Sequence, residues 1–129
     1  MTTVDDEARR TTIERLLRFD SDGSRHDLYH DDAVLEFPQS GERFEGLDNF
    51  REWRDQYPTE VTVRIRRIVG SGDVWVGELS ASYDGGPWML GISVHEFRGE
   101  RIARERIYVT EPWTAPEWRT PWRAATPAE

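Results

Sequence analysis

The sequence contains no cysteine, which excludes a disulfide framework and any thiolate nucleophile. Positive charge is in deficit, with 17 basic against 25 acidic side chains and a formal net charge of −8. Nucleic acid is therefore not an expected partner, because phosphate binding needs a basic face. An anionic membrane surface is disfavoured for the same reason. No apolar run approaches the length of a bilayer span. The first ten residues, Met1 to Arg10, are polar and acidic and lack the apolar centre of a signal peptide. A cytoplasmic location is the resulting expectation. Phosphate-binding loops, nucleophile elbows and Cys/His zinc spacings are missing too. No metal and no cofactor is expected.

What the chain does have is aromatic weight. Its 129 residues include six tryptophans, and aromatic side chains line pockets and interfaces. Three of the six, Trp113, Trp118 and Trp122, fall in the last seventeen residues. A chain of this length is one domain by default and buries roughly two-thirds of its unfolded surface. A large internal cavity would thin that core, and a second subunit over the sheet would compensate.

Helical spacing comes first. Ala8, Thr12, Leu16 and Phe19, with Ile13 and Leu17, form a stripe over residues 5–19 behind the acidic start Asp5, Asp6 and Glu7. A short helix is expected from Ser24 to Tyr29, with Ser24 as its cap. A short strand follows from Val34 to Phe37, and Phe44 resumes it briefly. Leu47, Phe50, Trp53, Arg54 and Tyr57 then share one helical face, ended by Pro58. After Pro58 the period becomes two. Val61, Val63 and Ile65 alternate with Thr62, Arg64 and Arg66. Trp75, Gly77, Leu79, Ala81 and Tyr83 fall on one strand face, and Asp84-Gly85 marks a tight hairpin. Strands over Trp88–Phe97 and Ile102–Thr110 complete the set. Three helices followed by long antiparallel strands indicate α+β architecture. Residues 1–110 read as the domain. Residues 111–129, rich in Pro and Trp, read as an extended arm packed on the domain or on a partner subunit.

The segment Tyr29-His30-Asp31-Asp32-Ala33-Val34, followed by Glu36, Pro38 and Gly46, resembles the "YADDA…P…G" stretch of the nuclear-transport-factor-2-like superfamily. Tyr83-Asp84-Gly85-Gly86-Pro87 and the Gly99–Tyr108 segment resemble the same group, in its SnoaL-like branch, and the similarity runs in order over residues 5–110. The resemblance implies a cone-shaped curved antiparallel sheet wrapped around about three N-terminal helices, a cystatin-like α+β barrel enclosing an apolar pocket. It implies homodimers packed through the outer sheet face. It does not imply one activity, since the superfamily spans ketosteroid isomerases, scytalone dehydratases, limonene-epoxide hydrolases, polyketide cyclases and non-enzymatic adaptors, so function rests on the site.

The isomerase set is not present. Phe37 stands where its base would be, its tyrosine falls near Ile13, and its second acid falls near Leu90 or Gly91. The paired histidines of the dehydratases are also missing, and His26 and His30 read as surface residues flanking the short helix. On the last strand, Ala103, Glu105, Ile107 and Val109 share a mainly apolar face. Glu105 is thus an expected inward acid. Apolar surroundings would raise its pKa and make it a base near neutral pH. The competing reading pairs it with an arginine of a neighbouring strand, Arg64 or Arg66. His95, on the face with Met89, Gly91, Ser93 and Phe97, would point inward beside it, and His95 or Tyr83 would serve as proton donor. The opposite face, Trp88, Leu90, Ile92 and Val94, either lines the pocket or forms a dimer surface; the resemblance implies the dimer surface, and with it the inward direction of His95. Phe37, Trp53, Tyr57, Trp75, Tyr83, Phe97 and Val109 are the expected ligand-lining side chains. Asp20 is either a pocket acid or a turn residue. The function expected is the binding of a small apolar metabolite, with cofactor-free cyclase, isomerase, dehydratase or hydrolase chemistry. The alternative is a non-catalytic binding or assembly module.

Overall fold

The computed structural model describes residues 4–18 and 24–125. Asp20 lies outside the described residues. Helix α1 spans Val4–Leu17, and a short 3-10 turn spans Ser24–Leu28. Strands β1 (Tyr29–Phe37) and β2 (Glu42–Glu45) precede helix α2 (Leu47–Asp55). Four long strands follow: β3 (Val61–Ser71), β4 (Val74–Tyr83), β5 (Trp88–Arg98) and β6 (Arg101–Thr110). They form one curved, unclosed sheet of order β2-β1-β6-β5-β4-β3. The α+β cone implied by the resemblance is what the chain forms.

Two points differ from the sequence reading. The first strand starts at Tyr29 rather than Val34, and it pairs with β6 in parallel, the one parallel pair of a sheet expected to be antiparallel throughout. Five residue steps on β1, Tyr29 to Val34, match two on β6, Ile102 to Arg104. This bulge breaks the period of two over the very residues that would have revealed the strand.

The pairing registers stack the inward side chains in ranks. One rank runs Glu105, His95, Trp75 and Gly70 from β6 to β3; the next runs Ile107, Ser93, Gly77 and Ile68. An extra residue on β3, Arg66, shifts its inward set from Ile65 to Ile68, and an extra residue on β6, Ala103, interrupts its pairing with β5. Gly70 is required where it stands, because a Cβ there would lie 2.6 Å from Trp75 Cδ2 and 2.6 Å from the Val74 carbonyl oxygen. Gly77 lets helix α1 rest on the sheet, since a Cβ would come within 2.8 Å of Leu17 Cδ1 and 3.0 Å of Ser93 Oγ.

Helix α1 buries Ile13, Leu16 and Leu17 on the concave side. Its arginines clamp the sheet from above. Arg9 donates to the Gly72 and Gly99 carbonyls and to Asp73, and Arg10 donates to the Ile68 carbonyl while stacking over Trp75. The Asp84-Gly85 hairpin is as the sequence indicates. Both central residues have positive φ, 51° and 73°, as a type I′ turn demands.

Candidate functional site

Between helix α2 and the concave sheet lies a cavity of about 690 Å³, a size ordinary for small-molecule sites. Its walls come from α1 (Leu16, Leu17), from α2 (Trp53, Arg54), and from the inward positions of β3, β4 and β6 (Val61, Val63, Leu79, Ala81, Ile107, Val109). Phe37, Phe44, Trp53 and Tyr57 make a connected aromatic group on one side, with ring centroids 5.1 to 6.3 Å apart. Among the expected lining residues, Phe37, Trp53, Tyr57, Tyr83 and Val109 do line the cavity. Trp75 and Phe97 do not. Trp75 is fully buried in the rank behind His95, and Phe97 packs under Arg9, so both are core.

Polar groups converge at one end. The Glu105 carboxylate is 2 % exposed and receives three partners from three elements. Tyr29, at the start of β1, donates its hydroxyl to Oε2 at 2.9 Å. Arg54, from α2, donates Nη2 to the same oxygen at 3.0 Å and Nη1 to the tyrosine oxygen at 3.1 Å. His95, directly across the ladder on β5, brings Nδ1 to 3.1 Å from Oε1, though off the line of a well-formed hydrogen bond. His95 Nε2 in turn meets Ser93 Oγ at 2.8 Å. The guanidinium of Arg54 also lies over the rings of Phe50 and Tyr29, at 5.3 and 5.7 Å, a seat that suits its planar, weakly hydrated charge.

These contacts reverse the expected electrostatics of Glu105. Burial does push the carboxyl upward, but the His95 ring nitrogen beside it, the Arg54 cation and the Tyr29 hydroxyl together outweigh it, and the pKa falls to about 2. The acid inferred to be a raised base is a held anion. The arginine that holds it is not Arg64 or Arg66 of a neighbouring strand. Arg64 is exposed and stacks over Trp88 at 3.9 Å. The cation comes from the helix instead. Burial, first, and the neighbouring Glu105 charge raise the Tyr29 hydroxyl above the ordinary phenol range, so it stays a donor. Arg54 stays protonated because the Tyr29 and Glu105 oxygens outweigh its own desolvation.

Sequence reasoning brought Glu105 and His95 together correctly and missed Tyr29, Arg54 and Ser93. Arg54 was visible as the one charge on an otherwise apolar helix face, a pattern that calls for a buried acid. His26 was misjudged. It is 2 % exposed and lines the cavity rather than the surface. Tyr83 lines the cavity but makes no hydrogen bond to the Glu105 cluster among the described residues. Trp53 Nε1 is buried with no hydrogen-bond partner among the described residues. No group of acids and histidines among the described residues has the arrangement to hold a metal ion.

This fold and site belong to a cone-shaped α+β class that hosts many chemistries. Residues 10–105 match the family model of the SnoaL-like domain, and the chain belongs to that family. An NTF-2 like protein of unknown function from Burkholderia xenovorans LB400 is similar over 97% of this chain and 100% of that one, at 32% identity and a TM-score of 0.86. A candidate ketosteroid isomerase from Kribbella flavida shares the fold over 95% and 93% of the two chains, at 20% identity and a TM-score of 0.83. An LEH-like epoxide hydrolase from M. tuberculosis shares it over 80% and 83%, at 21% identity and a TM-score of 0.70. No curated protein matches the sequence.

Proposed function

We propose that the cavity receives a small, mainly apolar metabolite and that the Glu105 cluster meets its one polar group, for cofactor-free acid–base chemistry of the cyclase, isomerase, dehydratase or hydrolase kind. The observation that carries this reading is the convergence of the Glu105 cluster on one end of a cavity with largely apolar walls, Asp55, Thr59 and Glu60 lining it as well. Apolar walls supply affinity and a few convergent polar groups supply orientation. With its pKa near 2, Glu105 is a weak proton acceptor. Its part is to fix His95, while His95 exchanges the proton. A second reading, a non-catalytic binding module, is favoured by the Arg54–Glu105 pair itself, since locked partners also build structural networks.

A neutral apolar dye, N-phenyl-1-naphthylamine, tests the cavity. We expect saturable fluorescence enhancement with one dye per chain, and Val63→Trp should weaken binding at least about tenfold, equivalent to roughly 1.4 kcal/mol. Unsaturable enhancement, or binding indifferent to Val63→Trp, rejects the cavity as the site. Once a substrate is in hand, Glu105→Gln should abolish turnover, and retained turnover rejects the catalytic reading.

We further propose that the protein acts as a homodimer through the outer sheet face, with the arm as part of the contact. Leu90, Ile92, Tyr108, Val69 and Val74 point away from the cavity and remain 39 to 48% exposed. The arm's indoles do not cover the body of the domain: Trp113, Trp118 and Trp122 are 87, 72 and 79% exposed. This exposure supports the placement of the arm on a partner subunit over its placement on the domain. Removal of residues 112–129 should shift sedimentation from dimer toward monomer. An unchanged profile, or a full-length protein that sediments as a monomer, rejects this assembly.

A further inference from the structure

The contact between His95 and Ser93 has no use in the scheme above. Ser93 sits two residues before His95 on β5, so both side chains face inward, and its Oγ lies 2.8 Å from His95 Nε2. Ser93 also lines the cavity. Opposite it on β4 is Gly77, whose missing side chain leaves room for Ser93 Oγ beneath Leu17 and Ile13 of helix α1. The order is therefore acid, imidazole, hydroxyl. Glu105 Oε1 faces Nδ1 at 3.1 Å, and Nε2 faces a serine at a cavity wall.

An ionised carboxylate only accepts hydrogen bonds, so the ring nitrogen turned toward it carries the hydrogen of the neutral imidazole. Nε2 is then a lone pair aimed at the Ser93 hydroxyl. This is the arrangement by which a hydroxyl becomes a nucleophile, and it is recognised by geometry and roles on unrelated folds rather than by sequence order.

We propose that Ser93, His95 and Glu105 form a nucleophilic triad and that the protein cleaves carboxylic esters whose apolar part fills the cavity. Ser93 Oγ attacks the carbonyl carbon, its proton passes to His95 Nε2, and the carbonyl electron pair moves onto oxygen. Collapse of the tetrahedral species breaks the ester C–O bond. The leaving alcohol takes the proton from His95, and an acyl group remains on Ser93. Water then attacks the acyl carbon, gives its proton to His95, and releases the acid as Ser93 regains its hydrogen. The net reaction is ester plus water to acid plus alcohol, with no oxidant or cofactor. The inference rests on the apolar cavity being a binding site.

An octyl fluorophosphonate probe tests it on the intact protein. We expect the mass of one phosphonyl group per chain, with loss of fluoride, mapped by peptide sequencing to Ser93. Ser93→Ala should lose the label while keeping the far-ultraviolet circular dichroism spectrum of the parent chain. Hydrolysis of p-nitrophenyl octanoate should fall on the order of 10³-fold or more in Ser93→Ala, the scale expected when a triad member is removed. Wild-type protein that binds the dye but takes no label overturns the triad and leaves the cavity reading intact. Label on another residue, or persisting in Ser93→Ala, also overturns the triad. Failure of both dye and label overturns the two readings together.

Discussion

Arg54→Met is expected to cost about 3–5 kcal/mol of folding stability, the range for stranding one member of a buried ion pair. Methionine fills much of the arginine's volume and leaves Phe50, Tyr29 and Trp53 a packing partner, so the loss is electrostatic. Glu105 would remain nearly fully buried with a tyrosine and a histidine but without its cation. Its pKa should climb, because the burial that already pushes it upward would lose a principal opponent. Urea unfolding at neutral pH measures the loss. The double variant Arg54→Met, Glu105→Gln should recover a large part of it, since no stranded charge remains. A single variant within about 0.5 kcal/mol of the parent, the range of ordinary surface substitutions, would show that the pair does not hold the floor of the cavity.

Acid should unfold this protein through the same carboxylate. The folded pKa of Glu105, about 2, lies below its ordinary value of 4.5. A depressed carboxylate pKa means that the unfolded chain binds the proton first. The contribution is therefore fully present above the ordinary value and is lost as pH falls from about 4.5 toward 2. At 1.36 kcal/mol per pKa unit, the full loss is about 3 kcal/mol. Tyr29 and Arg54 are both shifted upward, away from this window, and do not compete in it. Denaturant midpoints from pH 7 to 2 should fall with this slope in the parent chain. In Glu105→Gln the same series should be flatter by about 3 kcal/mol over the window. Equal slopes in the two proteins would mean that the carboxylate is not held as an anion.

Both results depend on residues that the sequence displays unequally. Local periodicity made the helices and β3 to β6 legible, because each buries a face that repeats along its own chain. Strand β1 was only half legible, since its bulge breaks the alternation and its parallel partner lies more than sixty residues away. Pairing at that distance leaves no local mark. The site divides the same way. Glu105 and His95 showed themselves as polar residues on apolar strand faces, and their meeting follows from the β5–β6 register. Tyr29 and Arg54 arrive from β1 and α2, and only the tertiary docking of α2 on the sheet brings them to Glu105. Where the acid sits was readable; its charge state was not, because a pKa is set by all the groups around it and two of those came from elsewhere in the chain. The trio's hydroxyl end was present in the sequence as Ser93 on the histidine's own face, separated from it by one residue.

The satisfied carboxylate has a consequence for how a guest is received. Each oxygen of Glu105 already faces a partner before anything enters, so the floor of the cavity is preorganised. A ligand arriving there need not reorder that end, and the entropic toll of ordering loose side chains falls elsewhere. It falls at the rim, where Tyr57 is 46% exposed and packs only edge-on against Trp53. If the cavity receives a ligand as proposed, selectivity among guests of similar polarity would be exercised at this exposed aromatic rim, while the preorganised floor would treat them alike.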